Sequence, residues 1–419
     1  MKTCEVYLWG SIVGTIVEQD NRLYFEYSPS FLEKGVEISP LYMPLSSRVY
    51  SFPSLNNESF RGLPGVFADS LPDKYGNKVI DAWLRANGRD SSSFSVIDRL
   101  CYIGKRGMGA LEYKPALKED TNENEKIEFD QLVDFANKIF RSREEISIKK
   151  SSNQIGELFK ISSSAGGARA KAIIAINEKT KEIKSGQIPN LTNHSYWVLK
   201  FDLSDEMDKT PYTLIEYAYA EMAKEAGINV AEHKLIEENG RHHFLSKRFD
   251  RDENGSKIFM ASLGGLAHSD YNEPQTYGYE DAMPLMRALG IQRLYKNEYY
   301  RRMVFNVLAR NQDDHVKNIS FLMNKRGEWS LAPAYDLTYA HNPNGIYTSK
   351  HQMTINGKSA GITRNDLIES AKTMKINIKS ANLIIDQVRT AIDKWSEIAS
   401  NLGIEASIID KIKKDFVLL

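Results

Sequence analysis

The feature that most constrains this chain is a helix followed by a polar loop, a hairpin and a further aspartate. Apolar side chains recur on one face from residue 295 to 309, which predicts a helix. The polar loop 313–318 comes next and reads Asp-Asp-His-Val-Lys-Asn. Two short apolar runs at 319–323 and 329–331 flank an Arg-Gly turn, so they predict a hairpin. The hairpin returns the chain and brings Asp336 back towards the loop.

These polar side chains are the types that phosphoryl transfer requires. A carboxylate must orient the attacking hydroxyl and accept its proton, while amide and carboxylate oxygens hold Mg²⁺ against the phosphates. Asn318 and Asp336 are the candidate metal ligands, and Asp336 is the principal one. The base is either Asp313 or Asp314, and the spacing alone does not decide between them. Two more polar residues of the loop would brace it or contact phosphate: His315 and Lys317.

A segment rich in serine and glycine supplies a candidate nucleotide loop. Residues 161–171 read Ile-Ser-Ser-Ser-Ala-Gly-Gly-Ala-Arg-Ala-Lys, and an apolar run typical of a strand follows at 172–176. Glycine lets backbone amides approach phosphate oxygens, and the strand would anchor the loop. The segment lacks the Gly-Lys-Ser/Thr ending of a Walker loop. Taken alone, Gly166 and Gly167 are explained equally well by a flexible surface turn.

A lysine and a glutamate follow this loop at positions where kinases use such a pair. Lys200 stands near the end of a second short strand, and Glu216 lies on the helix predicted after it. In kinases a lysine–glutamate pair steadies the phosphates of ATP. A strand lysine often only extends its stem along the surface, and a helix glutamate often only faces solvent. Together with the Gly-rich loop, the pair predicts an ATP site.

Length, charge and cysteine content limit the class of protein. The chain has 419 residues, enough for two or three substructures, and its 55 basic and 55 acidic residues give a formal net charge of zero. A cationic sheath for nucleic acid is therefore absent, and any DNA contact is expected through a partner. Two cysteines cannot build a disulfide framework, which fits a reducing cytoplasm. No apolar segment approaches the ~20 residues that span a bilayer, so we expect a cytoplasmic protein without membrane contact.

Changes of pattern divide the chain into three parts. Residues 1–113 predict a small mixed α/β unit, and the polar run 118–126 after it is typical of a linker. We expect an ATP-binding lobe with the Gly-rich loop at 114–250, ending in a strand at 243–251. From 251 to 419 the pattern is mainly helical, and this lobe carries the catalytic and metal loops.

Together these residues resemble the HipA family, the serine/threonine kinase toxins of bacterial toxin–antitoxin modules. The N-terminal part is similar to the family's leading domain at residues 62–73, Gly-Leu-Pro-Gly-Val-Phe-Ala-Asp-Ser-Leu-Pro-Asp, and at 109–111, Gly-Ala-Leu. The family's catalytic loop reads Asp-x-His-x-x-Asn, which implies Asp313 rather than Asp314 as the base. The implied fold class is α+β: a small N-terminal α/β subdomain, then a bilobal protein-kinase-like catalytic domain related to phosphoinositide 3/4-kinases, with a mainly helical C-terminal lobe.

The resemblance also implies which residues bind ATP. They lie in the Gly-rich loop, on the strand after it, at the end of the ATP-binding lobe and around the catalytic loop: Gly166, Gly167, Ala168, Arg169, Ala170, Lys171, Lys200, Lys247, Arg248, Phe249, His315, Val316, Lys317, Asn318, Tyr335 and Asp336. This chain departs from the best-known member within the Gly-rich loop, and at Lys247, where that member has glutamate.

A self-phosphorylated serine is a further property that the resemblance implies. It corresponds to Ser164, and Ser162 and Ser163 are neighbouring alternatives. Phosphate at this position would add about two negative charges to a loop that cradles phosphates. The modification should therefore expel the loop and block ATP.

The implied activity is that of an ATP- and Mg²⁺-dependent serine/threonine protein kinase acting on a cellular protein. The family's known targets are aminoacyl-tRNA synthetases, and its members act with a helix-turn-helix antitoxin, HipB, through which DNA would be reached. Two other hypotheses stay open: a non-catalytic ATP-binding module that sequesters such a partner, and a small-molecule kinase on the same fold. The filled catalytic positions favour an active kinase over the module.

Overall fold

Among the residues that it describes, the computed structural model contains three antiparallel sheets and a set of helices that lie mostly in the C-terminal half. It describes residues 1–72, 74–86, 88–90, 94–116, 129–130, 132–134, 136, 170–203 and 208–419. Within these ranges, each helix is too short or too polar to cross a lipid bilayer.

The N-terminal region is a four-stranded sheet with short helices packed around it. Its strands are β1 (Lys2–Leu8), β2 (Ser11–Gln19), β3 (Arg22–Tyr27) and β4 (Leu111–Lys114), in the order β3-β2-β1-β4. Its helices are α1 (Pro29–Leu32), α2 (Gly65–Ala68), α3 (Lys74–Ala86) and α4 (Val96–Ile103). Cys4, Val6 and Leu8 alternate with more exposed residues on β1, so one face of the sheet packs on the core.

Two early glycines have different structural roles. Gly10 adopts a φ of +80° in the turn between β1 and β2, a conformation that glycine adopts without steric cost. Gly14 lies inside β2, where an added Cβ atom would stand 2.1 Å from the Glu26 carbonyl oxygen on β3. Close packing of two strands, and not a turn, therefore requires glycine at position 14.

The second sheet has five strands and carries several of the predicted site residues. It contains β5 (Lys171–Asn177), β6 (Ile183–Ser185), β7 (His194–Lys200), β8 (His233–Glu238) and β9 (Arg241–Lys247), in the order β6-β5-β7-β9-β8. The register pairs Lys171 with Lys200, so both lysines lie on the same face at neighbouring strand ends. Helix α5 (Tyr212–Glu225) packs against β9 and buries Glu216. Pro211 occupies its N-cap position.

The C-terminal region combines a three-stranded sheet with most of the helices. β10 (Phe259–Ser262) pairs with β11 (Ser320–Met323), which forms a hairpin with β12 (Trp329–Leu331). The helices are α6 (Leu263–Ala267), α7 (Ala282–Ala288), α8 (Arg293–Leu308), α9 (Arg364–Thr373), α10 (Ile378–Ile392), α11 (Trp395–Asn401) and α12 (Ala406–Asp415). The predicted hairpin and the helix before it are confirmed, whereas no pattern in the sequence predicts β10.

The Gly-Leu-Pro-Gly motif of the N-terminal region packs directly against α6. The Gly65 N–H donates to Nε2 of His268 over 3.1 Å, and a Cβ atom at Gly65 would stand 2.2 Å from the Gly265 carbonyl oxygen. The Asp69 carboxylate accepts hydrogen bonds from the backbone N–H and the hydroxyl of Ser262, both over 2.7 Å. The N-terminal region is therefore attached to the strand and helix that precede the catalytic loop.

Candidate active site

Asp314, one of the two candidate bases, is buried in a hydrogen-bond network. Its carboxylate accepts hydrogen bonds from the Tyr279 hydroxyl over 2.9 Å, from Nδ1 of His351 over 2.9 Å and from the Gln352 backbone N–H over 2.8 Å. Burial and the nearby Asp314 charge raise the pKa of the Tyr279 hydroxyl well above its ordinary value, so the phenol remains a donor. Both carboxylate oxygens of Asp314 thus hold the loop in place.

Asp313 has a different environment. Its side chain is 47% exposed, and its Oδ1 lies 3.9 Å from Nε2 of His315. Its backbone carbonyl accepts a hydrogen bond from Nδ2 of Asn318 over 2.8 Å, which closes the loop around a 3-10 turn at Val316–Asn318. A proton-accepting carboxylate must be reachable by a substrate hydroxyl. The geometry therefore favours Asp313 over Asp314 as the base.

The other residues of the loop face different surroundings. Val316 is buried in the core, so a nucleotide contact by this residue would have to come from its backbone. Nζ of Lys317 lies 4.5 Å from the centre of the Tyr271 ring, and the His315 ring centre lies 5.8 Å from the same ring. The Tyr271 ring is therefore close to both polar side chains of the loop.

Lys200 connects the five-stranded sheet to the turn after the hairpin. Its ammonium group donates to the carboxylates of Glu216 on α5 and Asp336. The Lys200 and Glu216 side chains are 13% and 5% exposed, so water screens this network little. Burial alone would lower the pKa of Lys200, but the carboxylates of Asp336 and Glu216 outweigh burial and raise it.

Asp336 has a left-handed backbone conformation, which is uncommon among residues other than glycine. Its φ of +53° lies in the left-handed region, at a cost on the order of 1–3 kcal/mol that the surrounding contacts must offset. Burial would raise the pKa of Asp336, but Lys200 and Lys171 lower it below the ordinary value. The carboxylate is therefore kept ionised beside the two strand-end lysines.

Tyr335 fastens the catalytic loop to the hairpin. Its hydroxyl donates to the Lys317 carbonyl oxygen and accepts from the Ser320 hydroxyl, each over 2.6 Å. Its ring centre lies 5.5 Å from that of Phe249, just beyond the end of β9. Tyr335 thus contacts the catalytic loop through its hydroxyl, and its ring lies near Phe249 in the segment that connects the second and third sheets.

The oxygen donors of the site fit a magnesium ion. Asp336 offers carboxylate oxygens, and Asn318 offers its amide oxygen because its Nδ2 already donates to the Asp313 carbonyl. Mg²⁺ prefers hard oxygen ligands and usually retains several waters, so two protein residues can suffice. Over the described ranges, His, Cys, Asp and Glu side chains form no group of three or more arranged for a metal. An ion at Asn318 and Asp336 would take its other ligands from water and substrate oxygens.

The predicted adenine-contact residues differ in where their side chains lie. The predicted strand at 243–251 ends at Lys247, whose ammonium group pairs with Glu232 near the surface. The Arg248 guanidinium instead binds Asp250 through hydrogen bonds of 2.9 and 2.7 Å and donates to the Gly186 carbonyl over 3.0 Å. The Arg248 side chain is occupied by these buried contacts. The prediction that Arg248 contacts adenine therefore applies to its backbone atoms.

Asp250 joins the N-terminal region to the second sheet. Besides Arg248, its carboxylate accepts hydrogen bonds from Nη1 of Arg251 over 2.8 Å and from the Gly109 N–H over 2.7 Å. Burial would raise the pKa of Asp250, but the two guanidinium groups lower it well below its ordinary value. Gly109 belongs to the Gly-Ala-Leu motif, so this motif has a structural role at the junction.

We expect Arg248→Ala to lower the free energy of unfolding by about 3–5 kcal/mol at neutral pH, because it leaves the buried Asp250 charge under-compensated. Asp250 has a lowered pKa, so its contribution is present above the ordinary aspartate pKa and is lost as pH falls through the lowered value. The loss in free energy of unfolding caused by Arg248→Ala should therefore shrink in acid, and urea unfolding across pH measures it.

Lys247→Ala is the control, because Lys247 belongs to the neighbouring exposed ion pair. It should lower the free energy of unfolding by less than about 1 kcal/mol. An equal effect of both variants would contradict this role of Arg248.

Much of the Gly-rich loop lies outside the described residues. The predicted site residues affected are Ser164, Gly166, Gly167, Ala168 and Arg169. Of the remainder, the Ala170 carbonyl accepts a hydrogen bond from the Phe201 N–H over 3.2 Å, and Lys171 begins β5 with a buried side chain. The nucleotide contacts of all these residues stay predictions.

Sequence reasoning missed the residues that hold the catalytic loop. Tyr279 and His351 lie 35 and 37 residues from Asp314, and neither belongs to a motif that links it to that aspartate. The sequence pattern predicts Asp250 only as a residue of the strand at 243–251, although its carboxylate is the acceptor at the centre of a buried ion cluster. A buried aspartate flanked by arginines in Arg-Phe-Asp-Arg is the signal that could have revealed it.

The fold and the site together define a class of protein. A strand lysine paired with a helix glutamate, an Asp/Asn loop and an aspartate after a hairpin are the parts that kinases use. Family models match the chain in two places: a HipA N-terminal domain at residues 4–114 and a HipA-like C-terminal domain at residues 163–395. The chain belongs to the HipA family, which confirms the resemblance seen in the sequence.

Individual relatives agree with this assignment. Y4dM of Sinorhizobium fredii, whose kinase designation is provisional, is 24% identical over 97% of this chain and 95% of its own length. A Haemophilus influenzae protein with the same provisional designation is 28% identical over 29% of this chain and 39% of its own length. HipA of Shewanella oneidensis, solved with HipB and operator DNA, matches with a TM-score of 0.68 over 98% of this chain and 95% of that chain, at 16% identity. This last likeness confirms the α+β fold.

Proposed function

We propose that this chain is an ATP-dependent serine/threonine protein kinase of the HipA type. One observation carries the proposal: Lys200 joins Glu216 and Asp336 in a single ion-pair network. The loop with Asp313 and Asn318 is tied to the turn at Asp336 through the Tyr335 hydroxyl and the Lys317 carbonyl. A nucleotide-steadying pair, a metal-binding pair and a base are thus held on connected elements, as phosphoryl transfer requires.

In this proposal each group has one task. Lys200 and Lys171 contact phosphate oxygens of ATP, and Glu216 keeps Lys200 in place. Mg²⁺, when bound by Asn318 and Asp336, neutralises charge on the phosphates. Asp313 orients the substrate hydroxyl and accepts its proton as the hydroxyl oxygen bonds to the γ-phosphorus and the bond to the β–γ bridging oxygen breaks. The products are ADP and a phosphorylated serine or threonine.

The substrate and partner are inferred from the family. We infer that the enzyme phosphorylates a cellular protein, an aminoacyl-tRNA synthetase, and modifies its own Ser164. The Shewanella HipA structure contains HipB and operator DNA. By analogy, a helix-turn-helix antitoxin resembling HipB would bind this chain, and DNA would be reached through that partner. The zero net charge of the chain agrees with an indirect contact to DNA.

Self-phosphorylation gives the direct test of this function. Purified protein incubated with Mg²⁺ and labelled ATP should gain phosphate at Ser164, as detected by mass spectrometry, and Asp313→Asn should gain it about 10²-fold or more slowly. Addition of a bacterial lysate should then label a synthetase. ATP binding without any transfer would instead support the non-catalytic module. Label found in small molecules and in no protein would support the small-molecule kinase.

A further inference from the structure

A small cavity adjoins the catalytic loop on the side of Tyr271. It is enclosed by residues of the segment 269–277, by His315 and Val316 of the loop, and by residues 352–353. Its volume is about 10 Å³, which is roughly the space that one water molecule requires. The cavity therefore fits a compact polar group.

Polar atoms without partners gather around this cavity. In the part of the chain that the structure describes, Oδ2 of Asp270, Oε1 of Gln352 and Nδ1 of His315 are buried and make no hydrogen bond. All three residues line the cavity. Asp270 is 8% exposed and Gln352 is 5% exposed. A buried carboxylate oxygen without a partner is costly, so its presence beside a cavity points to a ligand.

The orientation of both acceptors is fixed by their other contacts. Oδ1 of Asp270 accepts hydrogen bonds from the Ser59 hydroxyl over 2.5 Å and from the Asn272 N–H over 2.8 Å, which leaves Oδ2 for the cavity. Nε2 of Gln352 donates to the Tyr347 carbonyl, which identifies Oε1 as the remaining acceptor. Asp270 takes part in none of the ion pairs found among the described residues.

The charge around the cavity favours a cation. Glu273, an exposed residue, adds a second carboxylate to the lining, and its Oε1 accepts a long hydrogen bond of 3.4 Å from Nδ2 of Asn56. Lys317 lines a neighbouring cavity instead, with Nζ against the Tyr271 ring. The lining residues of this cavity thus include two carboxylates, an amide and an imidazole, but not the lysine of the loop.

The cavity lies one imidazole ring away from the candidate base. Nε2 of His315 is 3.9 Å from Oδ1 of Asp313, and the buried Nδ1 without a partner belongs to the same ring. A group held in the cavity would therefore belong to a substrate segment close to the phosphorylated hydroxyl. We propose that Asp270 and Gln352 bind the ammonium group of a lysine that flanks the phosphoacceptor in the protein substrate.

This inference rests on the proposed kinase function and makes it more specific. An ammonium group is about as large as water and donates three hydrogen bonds, whereas a planar guanidinium needs more room. The site should therefore select lysine over arginine. A hydrogen bond to a charged group raises affinity by about tenfold or more. A peptide that places lysine in the site should therefore bind at least about tenfold more tightly than one that cannot make these bonds.

Peptide binding tests the site without requiring turnover. Fluorescent serine peptides with lysine, arginine or norleucine at each neighbouring position are titrated into full-length protein. At one position, lysine should bind about tenfold or more tightly than norleucine. Asp270→Asn, which places an amide donor towards the cation, should remove this ratio. Asp410→Asn, which deletes an exposed carboxylate on α12, should keep it.

The outcomes separate this site from the kinase function itself. Transfer to serine peptides without any lysine preference would overturn the lysine site and leave the kinase intact. A lysine preference in binding without phosphate transfer would support the site and count against the kinase. Binding of all peptides could instead depend equally on free K⁺ or NH₄⁺, with Asp270→Asn removing this dependence. That result would overturn the proposal in favour of a site for a free cation.

Discussion

Replacing Asp313 by asparagine should lower the kcat of phosphoryl transfer by about 10²–10⁴-fold, the usual contribution of a general base. Asparagine keeps the size of the side chain but cannot accept the proton of the substrate hydroxyl. Because the Asp313 side chain is 47% exposed, the thermal unfolding midpoint should change little. Steady-state transfer to protein substrate and calorimetry measure the two quantities on the same preparation.

Asp314→Asn is the matched control, because it makes the same chemical change at the neighbouring residue. Its carboxylate is buried and accepts from the Tyr279 hydroxyl, from His351 and from the Gln352 N–H. In Asp314→Asn, the NH₂ group of the amide would face one of these hydrogen-bond donors in place of an acceptor oxygen. We therefore expect the free energy of unfolding to fall by about 1–3 kcal/mol. A fully active Asp313→Asn beside a stable but inactive Asp314→Asn would reverse the assignment of the base.

Lys200→Met should have the second large effect, on both activity and stability. Without its ammonium group, phosphate contacts are lost and Asp336 is no longer held, so kcat/KM for ATP should fall by at least about 10²-fold. The buried Glu216, with 5% of its side chain exposed, loses the ammonium group that pairs with its charge. Removing one partner of such a pair costs about 3–5 kcal/mol of unfolding free energy.

The pH dependence of Lys200→Met follows from its partners. In the native protein Lys200 has a raised pKa, so its contribution persists across neutral pH and is lost only in strong alkali. In the variant, the Glu216 carboxylate stays buried without the Lys200 ammonium group, and its ionised form destabilises the fold at neutral pH. The deficit should therefore shrink in acid, as Glu216 protonates.

A double variant separates stability from catalysis in this network. Lys200→Met combined with Glu216→Gln removes both charges, so much of the stability should return while activity stays low. Urea unfolding and ATP kinetics of the two single variants and the double variant provide the thermodynamic cycle. Recovery of activity in the double variant would falsify the role of Lys200 as a phosphate contact.

The local elements of the catalytic half were predictable, and their long-range supports were not. Apolar periodicity before Arg310 and short apolar runs on both sides of the Arg-Gly turn predict α8 and the hairpin, as found. β10 has four residues and lies directly before a helix, so it carries too little pattern to be predicted. It forms a strand because β11 supplies its hydrogen-bond partners.

In the candidate site, too, features carried by neighbouring residues were predictable, and those that depend on distant parts of the chain were not. Residue types alone left Asp313 and Asp314 equivalent, and the family pattern was needed to choose between them. The physical distinction is that Asp314 is buried by Tyr279 and His351, which approach from distant parts of the chain. The Lys200–Glu216 pair was predictable because a strand and the next helix carry it, whereas the inward direction of the Arg248 side chain depends on Asp250 and Gly186.

The packing of Gly65 against α6 also has a consequence for synthesis. Gly65 and His268 are separated by 203 residues, and the indole of Trp9 donates to the Lys257 carbonyl across 248 residues. At about 5–20 residues per second, a ribosome needs roughly 10–50 s to supply these partners. During this interval the nascent N-terminal region exposes the surface that will later cover α6. The enzyme therefore cannot assemble its active centre until most of its chain has left the ribosome.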